Sequence, residues 1–338
     1  MPPLELLWTH RVYREVMLTH LQSPPQLPAR VVILGAAGFV AGAVEHRLRA
    51  KDAPILVLPR AALDLTNVSA DDRLADYLRP DDAILFAAAK APVKNEEMLI
   101  ENIRMGATVC AALRKSPVKH VVYISSDAVY ADTDQPLTEN SCAQPASLHG
   151  AMHLAREVML SNLVSGSLCT LRPTLIYGVD DPHNGYGPNK FCRSAAAGED
   201  IVLFGNGEER RDHVWVEDVA EIVVRVLLHQ SIGCLNIATG KVHSFRDIAE
   251  HVCLLSSREV TIKTGTRIGP MPHKGYRGFD PAATATAFSG FLYTAAETGL
   301  AAVVAQIIRK QLNERGKPAS GTACFKKKCH GACNSQDT

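Results

Sequence analysis

The 338-residue chain is long enough for one large α/β domain with a smaller lobe, or for two domains. Its 36 Lys and Arg residues nearly cancel its 35 Asp and Glu residues, so the chain lacks the basic field that non-specific nucleic-acid binding needs. Neither an apolar run of membrane-spanning length nor a secretion-signal pattern is apparent, so we expect a cytoplasmic protein without nucleic-acid or membrane partners.

Residues 1–29 precede the first predicted strand and predict an N-terminal helical extension. Four residues recur there at helical spacing, namely Leu6, Tyr13, Met17 and Leu21. The Ser-Pro-Pro sequence at 23–25 ends this pattern. An accessory helix packed on the core is favoured over a helix that binds a partner.

The stretch from Val31 to Gly42 is typical of a dinucleotide-binding turn. Four apolar residues predict a buried strand, glycines break it, and a helical pattern begins at Ala43. Gly35 would supply the turn, and Gly38 would let the backbone approach a pyrophosphate at the helix N-terminus. The pattern favours NAD or NADP binding over an ordinary strand-to-helix turn.

Arg60 follows the second predicted strand, 55–58, about twenty residues beyond these glycines. A carboxylate there would bind the ribose hydroxyls of NAD, whereas a cation suits the extra phosphate of NADP. Arg60 therefore favours NADP slightly, and a solvated surface arginine is an equally good explanation.

Strands and helices alternate through the next hundred residues. A strand at 83–87 runs into three alanines, a helix is predicted over 97–115, and a strand over 120–126 ends in hydroxyl residues. The alternation predicts parallel βαβ units and a doubly wound α/β sheet. The small residues at 87–89 leave room for a ligand at the carboxyl ends of the strands.

The chain resembles the extended short-chain dehydrogenase/reductases of the NAD-dependent epimerase/dehydratase family, whose members mostly act on nucleotide sugars. Segments that carry the resemblance run in family order over about residues 30–310. They are Gly35-Ala-Ala-Gly38-Phe-Val-Ala, Asp64-Leu-Thr, Ala87-Ala-Ala, Val122-Tyr-Ile-Ser-Ser126, Leu171-Arg-Pro-Thr-Leu-Ile-Tyr-Gly178, Leu203-Phe-Gly-Asn-Gly, Arg211-Asp212, Val216-Glu-Asp-Val-Ala220 and Asn236-Ile-Ala-Thr-Gly240.

The resemblance implies a Rossmann-type doubly wound parallel sheet with a smaller C-terminal substrate lobe. The NAD(P)-binding domain would span 30–178, and the lobe 179–312 would interleave with the last Rossmann elements. It also implies a homodimer as one possible assembly. The cofactor-binding positions by resemblance are Gly35, Gly38, Phe39, Val40, Arg60, Asp64, Leu65, Ala87, Ala88, Ala89 and Pro173. Asn102 would pin the central helix to the sheet, and Ser126 would be the active-site hydroxyl.

The family's catalytic pair, Tyr-x-x-x-Lys, is replaced in this chain. Counting from Pro145 puts His149 at the Tyr position and His153 at the Lys position. A Tyr186-x-x-x-Lys190 string does occur, but its Gly-Pro interior cannot lie in mid-helix, so we interpret it as coincidence.

The two histidines have several interpretations. In the first, His149 replaces the Tyr as acid/base, because imidazole titrates near neutrality unaided, and His153 contacts the ribose or orients His149. In the second, redox chemistry is lost and the protein is a sensor or scaffold that binds a nucleotide without turnover. A zinc site with Glu157 is less favoured because no further ligand stands at a suitable spacing, and we expect no metal. Two ordinary exposed histidines complete the alternatives.

The resemblance also implies contacts to a nucleotide-sugar substrate. These positions are Tyr177, Asn189, Lys190, Arg211 and Arg277. A guanidinium suits a diphosphate because its fork binds two oxygens at once, although a surface arginine is an alternative explanation for Arg211.

Residues 313–338 lose periodicity and predict a disordered tail. The tail holds Cys324, Cys329, His330 and Cys333 beside three lysines, which allows reactive thiols or a soft-metal site. The spacing fits no common metal pattern, so an unstructured basic tail is favoured. The six other cysteines are expected to be reduced thiols.

The favoured function from sequence is NAD(P)-dependent epimerisation, dehydration or reduction of a nucleotide sugar by hydride transfer. Ser126 would polarise the sugar oxygen and His149 would move the proton. The alternative is a catalytically inactive Rossmann protein that acts as a sensor or scaffold.

Overall fold

The computed structural model describes residues 18–36, 38–164 and 166–315. The strands are β1 (Thr19–His20), β2 (Arg30–Leu34), β3 (Ile55–Leu58), β4 (Asp82–Phe86), β5 (His120–Ile124), β6 (Leu168–Pro173), β7 (Leu175–Tyr177), β8 (Ile201–Phe204), β9 (Arg210–Trp215), β10 (Ser231–Ile237), β11 (Val242–Ser244), β12 (Ile262–Gly265) and β13 (Tyr276–Arg277). The α-helices are α1 (Phe39–Arg49), α2 (Ala70–Tyr77), α3 (Glu96–Lys115), α4 (Leu148–Val164), α5 (Pro188–Ala197), α6 (Val216–Leu228), α7 (Phe245–Leu255), α8 (Ala282–Ala287) and α9 (Ala296–Arg315). Two 3-10 helices, η1 (Asp127–Val129) and η2 (Pro272–Gly275), complete the elements.

A seven-stranded sheet forms the centre, in the order β1-β10-β6-β5-β4-β2-β3. All neighbours from β10 to β3 pair in parallel, so the predicted doubly wound parallel sheet is confirmed. The chain reverses its direction of winding at β2, which lies between β3 and β4. In such sheets a ligand binds outside the carboxyl ends of the strands at this point.

Alternate residues of β2 face opposite layers of helices. Val31 and Ile33 belong to a core that contains residues of α1 and α6. Val32 and Leu34 belong to a second core that contains residues of α2, α3 and α4. The continuous apolar run therefore reflects burial on both faces of a parallel strand, as predicted.

The predicted N-terminal helix does not extend into residues 19–20. Thr19 and His20 form β1, which pairs antiparallel with Ile232 and Ser231 on the sheet edge. The His20 ring also hydrogen-bonds to Ser231 Oγ at 2.7 Å, so edge pairing overrides the helical spacing there. The remainder of the predicted helix, residues 1–17, lies outside the described residues.

Two small sheets follow the central strands, one of β7, β9, β11 and β13 and one of β8 and β12. Their helices α5, α7 and α9 share a separate apolar core, which we call the lobe core. The chain returns from this region to the large sheet through β10. The final helix continues to Arg315, past the predicted start of the tail at residue 313, and residues 316–338 lie outside the described residues.

A buried ion pair ties α4 to β6. Glu157 Oε2 lies 2.7 Å from Arg172 Nη2, and both side chains are almost fully buried. Arg172 Nε also donates to Glu157 Oε1 at 3.0 Å, so the contact is bidentate. Removing one partner of such a pair leaves an uncompensated buried charge.

We predict that Glu157→Ala lowers the free energy of unfolding by about 3–5 kcal/mol, the usual cost of orphaning a buried charge. Glu221→Ala is the control, because its ion pairs with Arg47 and Arg225 are partly exposed and such pairs contribute about 0–1 kcal/mol. Urea denaturation followed by circular dichroism measures both. Equal losses of unfolding free energy in the two variants would contradict the greater importance of the buried Glu157–Arg172 pair.

Candidate functional site

The turn after β2 requires glycine at two positions. Gly35 has a φ of +94°, and a Cβ added there would lie 2.6 Å from the backbone nitrogen of Ala88. Gly38 donates its N–H to the Gly35 carbonyl at 2.8 Å and is the N-cap of α1. The helix therefore begins at Phe39 rather than at Ala43, and its first N–H groups have no partner within the helix.

A cavity of about 310 Å³, which we call the candidate cofactor cavity, or the cofactor cavity for short, lies at the carboxyl ends of β2, β3 and β4. It brings together most of the predicted cofactor residues, namely Gly35, Gly38, Arg60, Asp64, Leu65, Ala87, Ala88 and Ala89. Its volume lies at the lower end of the range of small-molecule pockets. A Cβ at Gly35 would clash with the backbone of Ala88, so only glycine lets the turn lie this close to the wall of the cavity.

The other three predicted cofactor residues do not line this cavity. Phe39 and Val40 form the first turn of α1, and the Phe39 ring packs beside Gly178. Pro173 is the last residue of β6 and is buried against Ile237 of β10. Phe39 and Val40 therefore follow directly on the glycine turn, whereas Pro173 belongs to the pairing of β6 with β10.

Charge in the cavity comes from one acid and two cations. Thr66 hydrogen-bonds to Asp64 and lowers the pKa of this carboxyl to about 2, with a smaller contribution from Arg60. Arg60 Nε lies 2.9 Å from Asp64 Oδ2, while its side chain is 72% exposed. Lys90 also lines the cavity and was missed, although its place directly after the three alanines was a signal.

Asn102 ties α3 to the segment after β4, as predicted. Its Oδ1 accepts the Lys90 N–H at 3.0 Å, and its Nδ2 donates to the Lys90 carbonyl at 2.9 Å. The side chain is fully buried. It therefore fixes the backbone that carries the wall of the cavity.

The start of α4 packs tightly on the segment that contains Ser126. Ser126 is the N-cap of η1, and its Oγ accepts the Ala128 N–H at 3.2 Å. A Cβ at Gly150 would lie 2.0 Å from the Ala128 carbonyl oxygen, so only glycine allows this approach. His149 is the residue before that glycine, which brings it close to the Ser126 segment.

His149 is partly buried, and its Nδ1 is sealed from solvent and has no hydrogen-bond partner among the described residues. Burial lowers the pKa of this imidazole, whereas the charge of Asp127 raises it. The group is therefore neutral at neutral pH. A neutral imidazole with an available nitrogen is able to accept a proton.

His153, for which a ribose contact or a role in orienting His149 is predicted, contacts the central sheet. Its side chain is buried, and Nδ1 lies 2.8 Å from the Tyr123 hydroxyl on β5. Burial holds its pKa well below the usual value, so it is uncharged. The ring lies edge to face with His149, with centroids 4.7 Å apart, which favours a role in orienting His149.

Three predicted substrate residues are not brought together. Tyr177 is buried in the lobe core, and its hydroxyl approaches Gly299 of α9 closely enough to exclude any side chain there. Asn189 accepts the Gly178 N–H at 2.8 Å and donates to Asp181 at 2.8 Å, so it braces a loop. Lys190 lines a different cavity between α5 and α9. None of the three reaches the cofactor cavity in this structure.

The guanidinium of Arg277, which is predicted to bind a diphosphate, has protein partners in this structure. The side chain is buried, and its guanidinium contacts Asp127, Asp132 and backbone carbonyls of the η1 segment. The guanidinium is therefore engaged by groups that lie far away in sequence and that the local sequence does not indicate. Tyr186 of the Tyr-x-x-x-Lys string stacks on Phe204 outside any helix, which agrees with coincidence.

Arg211 shares the carboxylate of Glu209 with a second arginine, Arg267, which was not predicted from the sequence. Arg211 Nε donates to Glu209 at 2.8 Å, and Arg267 Nη1 lies 3.4 Å from the other oxygen of Glu209. Arg267 Nε is buried without a hydrogen-bond partner among the described residues, and it lies 3.9 Å from Glu208 Oε1. The segment 265–270 has no helical or strand period that would have placed Arg267 beside Arg211.

Two of the three side chains in the zinc interpretation, Glu157 and His153, have other partners. Glu157 pairs with Arg172, and His153 with Tyr123. Within the described part of the chain, no group of three His, Cys, Asp or Glu side chains is placed to hold a metal ion. In the same residues, no helix has the length and hydropathy that a membrane crossing needs.

A family model described as the NAD dependent epimerase/dehydratase family matches residues 31–238. The chain belongs to this family. The match covers the dinucleotide turn, the cavity walls and the α4 helix. Members of the family bind NAD or NADP.

Relatives in the family include enzymes of nucleotide-sugar metabolism. A UDP-glucose 4-epimerase of Mycolicibacterium smegmatis is 28% identical over 253 residues, which are 65% of this chain and 80% of the relative. A trifunctional UDP-glucose 4,6-dehydratase/UDP-4-keto-6-deoxy-D-glucose 3,5-epimerase/UDP-4-keto-L-rhamnose-reductase of Arabidopsis thaliana is 27% identical over 69% of this chain. The chain spans only 40% of the length of that relative.

Solved structures share the fold. The UDP-glucose 4-epimerase of Thermus thermophilus in complex with NAD superposes with a TM-score of 0.72 at 22% identity, over 82% of this chain and 98% of that chain. RMD from Pseudomonas aeruginosa complexed with NADPH gives a TM-score of 0.73 at 20% identity, over 83% and 99%. At these identities the likeness concerns the architecture.

We predict that Gly35→Ala destabilises the protein by about 1–3 kcal/mol, the cost of forcing a side chain into a strained backbone conformation. The added methyl would also press on Ala88 and weaken NAD(P)H binding. Gly42→Ala is the matched control, since a Cβ there meets nothing nearer than 4.0 Å within α1 and replaces a helix-destabilising glycine. Thermal melts with and without cofactor measure both variants. Equal effects would contradict the requirement for glycine at position 35.

Arg60→Ala is expected to weaken NADPH binding by about tenfold or more and to leave NADH binding unchanged, because a charge-assisted contact to phosphate contributes about 1.5–3 kcal/mol. Arg49→Ala, which removes an exposed guanidinium on α1, is the control. Isothermal titration with the two cofactors measures the ratio. Equal weakening for both cofactors would assign Arg60 a structural role through Asp64.

Proposed function

We propose that the chain is an NAD(P)-dependent enzyme that modifies a nucleotide sugar by hydride transfer, with His149 in place of the usual Tyr. One observation carries this proposal. Arg156, on the same helix as His149, donates to the Ala88 carbonyl at 2.9 Å and so fastens α4 to the wall of the cofactor cavity. The acid/base candidate and the cofactor site therefore form one rigid unit.

His149 has the properties of a general base. It is seven residues before Arg156 and thus about 10 Å from it along the helix axis, at 1.5 Å per residue. Its Nδ1 is sealed, which leaves Nε2 to accept the proton of a sugar hydroxyl. Ser126 stands in the adjoining segment as a hydroxyl that polarises the same oxygen. A bound nicotinamide would supply the hydride acceptor and donor.

Residues of the lobe support a nucleotide diphosphate as the substrate handle. Arg211 and Arg267 converge on Glu209, and both guanidinium groups keep donors beyond that contact. Phe204 stacks on Tyr186 at 4.2 Å and is 47% exposed, which offers a face for a base. Arg267 contacts the Phe204 carbonyl, so the base and phosphate sites adjoin. Relatives recorded with UDP-glucose are consistent with this handle.

A second candidate function is binding without turnover. His153 is neutral and buried, so this residue supplies no cation at the position of the family Lys. This observation favours a protein that senses or presents a bound dinucleotide. The two functions differ in whether His149 is required for chemistry.

We predict that His149→Phe lowers kcat by about 10²–10⁴-fold, the contribution of a positioned acid/base, and leaves the Kd for NAD(P)H unchanged. His251→Phe, on α7 beside Glu297, is the control. Steady-state assays with nucleotide sugars measure turnover, and cofactor titration measures binding. Wild-type protein that binds cofactor but converts no nucleotide sugar would instead support the second candidate.

The pH dependence follows from the same imidazole. Burial lowers the pKa of His149 from its usual 6.5, so the base form prevails at neutral pH. Turnover is therefore expected to stay level from pH 7 to 8 and to fall only below about pH 6.5, as the ring gains its proton. A pH profile of kcat/KM measures this. A limb above pH 7 would identify another group as the base.

A further inference from the structure

A short chain of polar groups crosses the interface between α4 and the sheet. Tyr123 of β5 reaches the Nδ1 of His153, and the Arg156 guanidinium interacts with the same hydroxyl. All three side chains are almost fully buried. Arg156 is fixed in turn by the Asn102 and Ala88 carbonyls. The positions of these groups are therefore set by the fold and not by a ligand.

The direction of the hydrogen bond between Tyr123 and His153 follows from what each neighbour can do. A guanidinium carries only donors, so Arg156 cannot accept the hydroxyl proton. Among the described residues, His153 Nδ1 is the partner of this hydroxyl. If Nδ1 carried a proton, the hydroxyl proton would be buried without an acceptor. Tyr123 therefore donates, and Nδ1 accepts.

We propose that Tyr123, backed by Arg156, is a positioning residue that locks His153 as the neutral tautomer with its proton on Nε2. With His153 locked, His149 is the imidazole of the pair that takes up a proton. This second part of the proposal rests on the proposed function. Nothing in the Tyr-x-x-x-Lys arrangement requires such a lock, because an ammonium has no tautomers.

The packing of the two rings explains why the lock matters. The His149 and His153 centroids are 4.7 Å apart, so a proton on one opposes a proton on the other. Arg156 opposes a proton on either ring, and His183 opposes one on His149. Asp127, in η1, is the group that favours the His149 proton. With His153 held neutral, this carboxylate acts on His149 alone.

Long-range ¹H–¹⁵N correlation spectra of the histidine rings test the lock at pH 7. His153 signals are assigned by their loss in His153→Gln. We expect wild-type His153 to favour the Nε2–H tautomer by at least about fivefold, the ratio that corresponds to the smallest cost of an unsatisfied hydroxyl. A wild-type spectrum with the proton on Nδ1 overturns the proposal, whatever any variant does.

Tyr123→Phe keeps the ring and removes the hydroxyl, so His153 should become a mixture of tautomers. Tyr293→Phe is the matched control, because its hydroxyl contacts Thr284 in another part of the molecule. An unchanged His153 tautomer in Tyr123→Phe contradicts the lock. The expected kinetic result is a lower kcat and a displaced acidic limb of the pH profile, with the KM for the cofactor unchanged.

The spectra need no substrate, so the two proposals fail separately. A locked tautomer in a wild-type protein without turnover supports the inference and counts against the proposed function. Turnover in a wild-type protein whose His153 proton is on Nδ1 supports the proposed function and contradicts the inference. Turnover whose pH profile is the same in Tyr123→Phe and wild type contradicts the statement about His149, even if the tautomer is locked.

Discussion

Two neighbouring charged residues on α4 hold the candidate site together. Arg156 reaches the Asn102 and Ala88 carbonyls, and thus α3 and the end of β4. Glu157 pairs with Arg172 of β6 and accepts a hydrogen bond from Ser125 after β5. Successive residues point in different directions from a helix, so Arg156 fixes α4 to α3 and the end of β4 while Glu157 fixes it to β6 and the end of β5. The helix that carries His149 therefore has little freedom to shift.

The candidate cofactor cavity was predictable because its requirements fall on the backbone. The φ of Gly35 and the approach of Ala88 leave room for no side chain, and such constraints show in sequence as glycines and alanines. Parallel strands place these small residues at one sheet edge whatever the remaining sequence is. Most of the predicted cofactor residues accordingly line one cavity.

The substrate half was not predictable to the same degree, since long side chains take the partners that tertiary packing offers. Arg277 looks like a free guanidinium in sequence, but β13 lies beside β9 and directs it to the η1 segment. Arg267 lacks a local pattern and yet meets Glu209. Edge pairing likewise converted Thr19–His20 from a predicted helix to a strand. In each case the deciding contact lies far away in sequence.

The two histidines are consistent with the charge that surrounds them. Arg156 is a buried cation whose hydrogen bonds go to carbonyl and amide oxygens, and among the described residues no carboxylate pairs with it. A lysine at position 153 would place a second cation within one turn of it, and like charges at that spacing oppose each other. His153 avoids this cost by remaining neutral and still fills the space against Tyr123. An acid/base without a neighbouring ammonium must then titrate near neutrality by itself, which imidazole does and a tyrosine hydroxyl does not.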